Sequence, residues 1–223
     1  KGNKFKINEI TINGNSALSD EKIKRLMKDT KQKLWYRFYK RSKFQYSLFD
    51  SDKENIINKY NELSYRDAKI TSDTIYFYDD ETLNLEMTID EGNAYYIRSI
   101  TWSGNNKYSS GLLDTILGIK RGSPYNKATL DTKLFMNPNG TDISSLYMDD
   151  GYLFFQVNPI EKRVDNDSID LEIKIYEGKQ ARIKNINVTG NTKTSDHVII
   201  RDMYTHPGDL FSRDAIIRTQ RQL

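Results

Sequence analysis

One pattern of apolar and polar positions occurs three times along the chain. The three copies are Ile10–Asn15, Ile100–Asn105 and Ile186–Asn191, and their glycines are spaced by 90 and 86 residues. Apolar residues alternate with a period of two up to the glycine, which predicts a β-strand with one buried face. A further pair lies upstream (Phe5 and Ile7 in the first copy) with its phase shifted by one residue. We expect the pair of apolar residues nearer the glycine to face the core of its own repeat. We expect the upstream pair to pack at the junction with the preceding repeat, unless a bulge restores the phase.

The first two copies also end alike. The alternating strands Leu83–Gly92 and Ile169–Gly178 both finish in Glu-Gly, two to four residues before the next copy begins. Such short linkers restrict the motion between units without freezing it. The predicted hinge residues are Gly92, Asn93, Gly178 and Lys179.

The interior of the first copy has helical periodicity. Ser19 is the expected N-cap of one helix, and a second helix is predicted to begin after Asp50-Ser-Asp52. A strand over Tyr65–Ile70 then leads to a turn near Asp79-Asp80. The order is therefore β-α-α-β-β.

The second copy repeats this order. It has a short helix over 109–117, a helical stretch over 126–148 that is interrupted at 137–140, and a strand expected to start at Gly151-Tyr152. The third copy has a first strand, a helix over 195–204 and the start of a second helix near residue 212. We predict a linker remnant at 1–3, domains over 4–92 and 93–178, and an incomplete domain over 179–223.

Composition excludes several kinds of chemistry. The 223 residues include no cysteine, so disulfides, thiolate metal sites and a cysteine nucleophile are ruled out. His197 and His206 have no repeated carboxylate partner, and phosphate-loop and nucleophile-elbow motifs are missing. We expect no enzyme, cofactor or metal. The 34 basic and 31 acidic residues give a net charge of +3, too balanced to indicate nucleic acid as a partner.

An aromatic and basic insertion over 31–49 separates the two helices of the first copy. Residues 33–44 contain five cations and no acid. Three interpretations remain: the aromatics extend a small core, the cations contact anionic lipid or a partner, or the stretch stacks on nucleic acid. The last is the weakest because no other copy has such a stretch. The possible contact patch is Trp35, Arg37, Phe38, Lys40, Arg41 and Lys43.

The repeated β-α-α-β-β order, the Gly-Asn after the first strand and the Gly-Tyr after the second helix resemble POTRA (polypeptide-transport-associated) domains. The chain is similar to the third and fourth of five such domains and the start of the fifth, which precede a membrane β-barrel in outer-membrane assembly proteins. The resemblance implies an α+β fold of tandem domains, each a three-stranded mixed sheet covered by two helices. The first copy departs from the family with Ser64-Tyr65 in place of Gly-Tyr, which we expect to shift the helix exit because serine tolerates positive φ poorly.

The resemblance also implies a function at a sheet edge, since the second strand of a POTRA domain is outermost. An exposed edge accepts an extended segment from another chain. The expected edges are Ala68, Lys69, Ile70, Thr71 and Ser72 in the first copy and Phe154, Phe155, Gln156, Val157 and Asn158 in the second. Lys69 and Pro159 are common edge protections, so inert edges are the alternative.

The implied partners are unfolded outer-membrane proteins, accessory assembly lipoproteins and a C-terminal membrane β-barrel of the same chain, with no nucleic acid. The implied location is the periplasmic face of the outer membrane of a Gram-negative bacterium. One alternative is the substrate-recognition region of a two-partner-secretion exporter, although such exporters typically have two repeats. Another is a spacer without client contact.

Overall fold

A computed structural model describes residues 5–32, 44–135, 137–191 and 195–222. Its elements are β1 (Lys6–Asn13), α1 (Asp20–Leu26), α2 (Tyr46–Glu62), β2 (Lys69–Phe77), β3 (Thr82–Asp90), β4 (Tyr96–Ser103), α3 (Ser110–Leu117), α4 (Lys127–Phe135), α5 (Ile143–Asp149), β5 (Gln156–Asp165), β6 (Ser168–Tyr176), α6 (Asp196–Asp202) and α7 (Arg213–Gln222). The chain folds into two compact units, Lys1–Tyr96 with Pro124–Lys127 and Ile97–Ser123 with Ala128–Leu223.

Each unit contains a three-stranded sheet, in the order β1-β3-β2 or β4-β6-β5. β1 is parallel to β3, whereas β2 is antiparallel to β3 and β5 is antiparallel to β6. The predicted α+β class with mixed three-stranded sheets and helices is therefore confirmed. In both sheets the last strand of the copy lies in the centre, and the second strand lies at an edge.

A bulge in β1 decides which apolar residues reach the first core. The register with β3 shifts between Ile7 and Glu9, which compensates for the phase slip in the sequence. Ile7, Ile10 and Ile12 are therefore all buried in one cluster with β3 and α2. For Ile7, the expectation of packing at a junction with a preceding repeat is wrong.

Helix α2 does not begin after Asp52, contrary to the sequence prediction. α2 already begins at Tyr46, so Asp50-Ser-Asp52 lies inside it. The Asp52 side chain is completely buried and accepts hydrogen bonds from the backbone N–H groups of Lys28 and Thr30, both at 2.6 Å. A buried carboxylate needs such donors, and here it fixes the turn that follows α1.

The exits of α2 and α5 have the same conformation although their sequences differ. Ser64 has φ 77° and Gly151 has φ 90°. The next N–H, of Tyr65 or Tyr152, donates to the carbonyl of Tyr60 or Tyr147. The expected shift of the helix exit at Ser64 is therefore wrong. The strands start later than predicted, at Lys69 and Gln156, because turns occupy the residues after each helix.

The glycines of the first two Gly-Asn pairs fit a close approach of two backbones. A Cβ on Gly14 would collide with the carbonyl oxygen of Ile89, and one on Gly104 would collide with that of Ile175. The asparagine side chain then binds the start of the next helix: Asn15 donates to Asp20 at 2.7 Å.

The predicted first strand of the third copy is not formed. Residues 183–190 have no assigned strand. In the first copy this strand pairs with the last one, and the 223 residues include no equivalent last strand for the third copy. A single bridge between Arg182 and Leu210 remains. Helices α6 and α7 confirm the helices predicted after it.

Candidate functional site

The open edges of the two sheets are the candidate site. On the outer side of β2 and of β5 no strand is paired within the described parts of the chain. Of the predicted edge residues, Lys69–Ser72 and Gln156–Asn158 lie in these strands. Unpaired strand edges present the N–H and C=O groups that another strand binds.

The other side of the first sheet is covered at the start of β1. Ile7 of β1 forms a bridge to Gln32, and the Phe44 N–H donates to the Phe5 carbonyl at 2.9 Å. The second sheet has an equivalent: Ile97 of β4 exchanges hydrogen bonds with Ser123 at 2.9 Å and Gly122 at 2.7 Å. Within the described residues, the starts of β1 and β4 are therefore already paired, whereas β2 and β5 have no partner on their outer side.

β2 is more exposed and longer than the sequence indicated. It extends to Phe77, and only Ile70 and Ile75 are half-buried. A bulge at Thr71 interrupts its pairing with β3, and the Thr71 hydroxyl donates to the Thr88 carbonyl at 3.2 Å. The predicted guard, Lys69, forms an exposed ion pair with Asp90 at 3.4 Å, so its charge is directed to the neighbouring strand.

A shallow groove of about 510 Å³ runs beside β2, between it and α2. Its lining residues are Asp50, Lys53, Glu54, Ile57, Asn58 and Ile70. Lys53 crosses from the helix to the strand and binds Asp50 at 2.8 Å and Asp73 at 2.6 Å. The hydrogen bond with Asp50, followed by that with Asp73, raises the pKa of Lys53. The groove therefore has an apolar floor and an acidic rim.

Three aromatic residues remain exposed at the end of β2. Tyr76, Phe77 and Tyr78 keep 46%, 70% and 64% of their surface accessible, and Phe77 contacts Phe5 edge-to-face at 4.9 Å between ring centroids. The corresponding hairpin of the second unit has Val164 and polar residues. The fold does not require aromatics at this hairpin, and clustered exposed aromatic residues are typical of contact surfaces.

β5 is a less regular edge. Pro159 lies inside the strand, opposite Ile173, and not at its end as predicted. The register shifts again between Glu161 and Arg163. Because proline has no N–H, it interrupts the row of donors along this strand.

Several predicted site residues lie elsewhere. Ala68 and Phe155 are buried ahead of their strands, and Phe155 stacks on Tyr147 with 4.2 Å between ring centroids. Phe154 is exposed but precedes β5. These three are not edge residues because turns connect each helix to its strand.

The insertion and the hinges are not tested by this geometry. Trp35, Arg37, Phe38, Lys40, Arg41 and Lys43 lie outside the described residues. Phe44, the last residue of the 33–44 stretch, packs against the first core and contacts Phe49 with 5.9 Å between ring centroids. Gly92 and Gly178 follow β3 and β6 with positive φ, and their hinge role remains a prediction, as do those of Asn93 and Lys179.

Within the described ranges, no three His, Asp or Glu side chains form a group that could hold a metal ion. No helix in the same ranges is long and apolar enough to span a membrane.

The repeat architecture is matched by a known family. The POTRA family, described as a surface antigen variable number repeat, matches residues 5–92, 95–178 and 181–223. The chain belongs to the POTRA family. These POTRA repeats are similar to regions of outer membrane protein assembly factor BamA: identity is 25% to the Neisseria meningitidis serogroup B protein and 24% to the Nitratidesulfovibrio vulgaris protein. The alignments cover 91% and 100% of this chain.

The chain spans 25% and 28% of the length of those two relatives. A solved structure of the third to fifth POTRA domains of Haemophilus influenzae BamA has the same fold, with a TM-score of 0.70 and 20% identity. It covers 98% of this chain, and the match extends over 84% of that structure. The POTRA fold expected from the repeats is thus confirmed.

The sequence did not reveal the full extent of β2 or the cover on β1. β2 contains few apolar residues because it lies at an edge, so its period-two signal is weak. The cover depends on hydrogen bonds between residues up to 39 positions apart, as for Phe44 and Phe5. Three adjacent aromatics after a polar strand were the one available signal.

Proposed function

We propose that this chain is the periplasmic POTRA region of an outer-membrane β-barrel assembly factor. Unfolded outer-membrane proteins would add a strand to its sheet edges, and accessory assembly lipoproteins would dock on it. The role is one of binding, without catalysis. Support for this setting comes from the POTRA match and the similarity to BamA proteins. The full-length assembly factor would supply the membrane β-barrel.

One observation carries the proposal for clients: β2 has no partner on its outer side in the described structure, while the start of β1 at the opposite edge is covered. Hydrogen bonds to a strand edge use the backbone, so they are largely independent of the client's sequence. The half-buried Ile70 and the groove beside β2 would accept alternate apolar side chains. Transmembrane β-strands alternate apolar and polar residues in this way.

The exposed aromatics Tyr76, Phe77 and Tyr78 support the docking of an accessory protein near the same edge. Aromatic residues are enriched where proteins bind one another. We also propose that Gly92 and Gly178, with the residues that follow them, act as hinges between repeats.

An NMR titration tests the client proposal. The ¹⁵N-labelled chain is titrated with a peptide that has the alternating sequence of a transmembrane β-strand. We expect amide shifts along Lys69–Phe77 and only small shifts at Lys6 and Ile7, because the start of β1 is covered. β5 should respond more weakly than β2, because Pro159 interrupts its donors.

The matched control is the same peptide with an N-methyl group on every residue. It keeps every side chain but loses the donors on both sides of its backbone. Binding that survives methylation would contradict strand addition. If the unmodified peptide shifts neither edge, the chain is a spacer and the client proposal is wrong.

A further inference from the structure

A second groove lies in the other unit, remote in sequence from β2. It has a volume of about 590 Å³ and lies between the turn that separates α4 from α5 and helix α7. Its lining residues are Asn137, Pro138, Asn139, Gly140, Ser145, Asp149, Arg213, Asp214, Ile217, Arg218 and Arg221. The first copy has no counterpart of the turn, because α2 runs uninterrupted over 17 residues.

The wall formed by α7 carries a regular stripe. Arg213, Ile217 and Arg221 follow one another at intervals of four residues, which places them on one face of the helix. Four residues of α-helix rise about 6 Å. The groove thus presents a cation, an apolar side chain and a second cation, each about 6 Å from the next along the helix.

The acids at the groove are already engaged. Asp149 accepts hydrogen bonds from the Ser212 hydroxyl at 3.2 Å and the Asp214 N–H at 2.8 Å. Asp214 pairs with Arg218 at 2.7 Å. Among the residues that the structure describes, neither Arg213 nor Arg221 has a carboxylate within 4.0 Å, so both guanidinium groups remain available to a ligand.

An extended polypeptide matches this stripe. A β-strand rises about 3.3 Å per residue, so side chains two apart lie on the same face about 6.6 Å from each other. We propose that the α7 groove binds an extended acidic segment of another polypeptide with the pattern acid-x-apolar-x-acid. The two carboxylates would pair with Arg213 and Arg221, and the apolar side chain would contact Ile217. This proposal does not depend on strand addition at β2.

Two peptides of equal composition test the pattern. Dye-labelled Gly-Glu-Ser-Val-Ser-Glu-Gly has the proposed spacing, and Gly-Glu-Glu-Val-Ser-Ser-Gly places its acids side by side. Fluorescence anisotropy with the whole 223-residue chain should show that the first peptide binds about tenfold more tightly, because only it engages both arginines. Added salt should weaken its binding, as expected for exposed charges.

The decisive variant is Arg213→Gln/Arg221→Gln, which should weaken binding of the first peptide about tenfold or more. The charge-matched control is Lys22→Gln/Arg25→Gln on α1, which removes two cations from the other unit and should leave binding unchanged. Far-UV circular dichroism checks that the variants fold. Equal weakening in both variants, or equal affinity for both peptides, would show a nonspecific charge effect and overturn the proposal.

Discussion

Tyr60 donates its hydroxyl hydrogen to Oε1 of Glu91 at 2.8 Å, and both side chains are buried. The same carboxylate accepts the N–H of Ala17 at 2.9 Å, so one side chain joins the end of β3 to α2 and to the loop after β1. The second copy repeats the arrangement: Glu177 accepts from the Tyr147 hydroxyl at 3.1 Å. The glutamate of each Glu-Gly pair therefore connects the end of the last strand of its repeat to the last helix of that repeat, which is its closing role.

Replacing this carboxylate should destabilise the first repeat. Glu91→Gln keeps the shape but substitutes an amide for an oxygen that accepts hydrogen bonds, at an expected cost of about 1–3 kcal/mol in the free energy of unfolding. Urea unfolding measures it. Glu81→Gln, at an exposed hairpin position, is the control and should change little. Equal stability of Glu91→Gln and the wild type would contradict a closing role for Glu91.

The stabilisation by Glu91 should also depend on pH. Burial opposes ionisation of this carboxyl, but hydrogen bonds from Ser16, Ala17 and Tyr60 outweigh it and lower the pKa below the ordinary value of 4.5. A carboxyl with a lowered pKa in the folded state stabilises above its unfolded pKa and loses that contribution as the pH falls. The stability difference between wild type and Glu91→Gln should therefore be full near pH 7 and shrink below about pH 4.5. A constant difference down to pH 2 would contradict this.

The two helix exits allow a reciprocal exchange. Ser64→Gly should stabilise the chain by about 1 kcal/mol, because glycine adopts the positive φ at this position without strain. Gly151→Ser should destabilise it, since a Cβ there would lie 3.2 Å from Cδ2 of Leu210 at a φ of 90°. Thermal unfolding measures both. A loss of stability in Ser64→Gly would show that the serine side chain contributes more than its strain costs.

Two of the Gly-Asn glycines, Gly14 and Gly190, should respond unequally to alanine. In Gly14→Ala the new Cβ would collide with the Ile89 carbonyl, so we expect a loss of about 3 kcal/mol or more. Gly190 has a similar φ of 88°, but no atom lies within 4 Å of its Cβ position in the described structure. Gly190→Ala should cost only the strain of positive φ, about 1 kcal/mol. Urea unfolding of the two variants separates the contributions, and equal losses would rule out the collision.

Removal of the buried Thr82 hydroxyl should increase the stability of the chain. Its Oγ1 has no hydrogen-bond partner within the described residues. Thr82→Val keeps the shape and removes the unsatisfied group, so stability should rise by about 1 kcal/mol. The control is Thr71→Val, which removes a hydroxyl that donates to the Thr88 carbonyl and should not stabilise. A Thr82→Val variant less stable than wild type would indicate a bound water at this hydroxyl.

The repeats could be predicted from the sequence because the strands and helix starts in them follow local patterns. Alternation up to Gly14 predicted a strand, and Ser109 predicted a helix start that its hydroxyl does cap, accepting from the Leu112 N–H at 3.4 Å. The predicted start of α2 after Asp52 is wrong because, in the sequence, a buried acceptor for a distant turn looks the same as an acid that precedes a helix. The edge of β2 was placed correctly but its length was not, because an edge strand lacks the apolar face that defines a central one. The α7 groove depends on two segments that are far apart in the sequence and left no local signal.

The covered side of the first sheet has a directional consequence. A strand that joins β2 uses one row of its backbone groups and leaves the other row facing outward. The start of β1 at the opposite edge is already paired, so the newcomer would join the sheet at β2. That newcomer's free row would remain available to the strand following it in its own sequence, so a hairpin could grow outward from the POTRA domain while its first strand is still held.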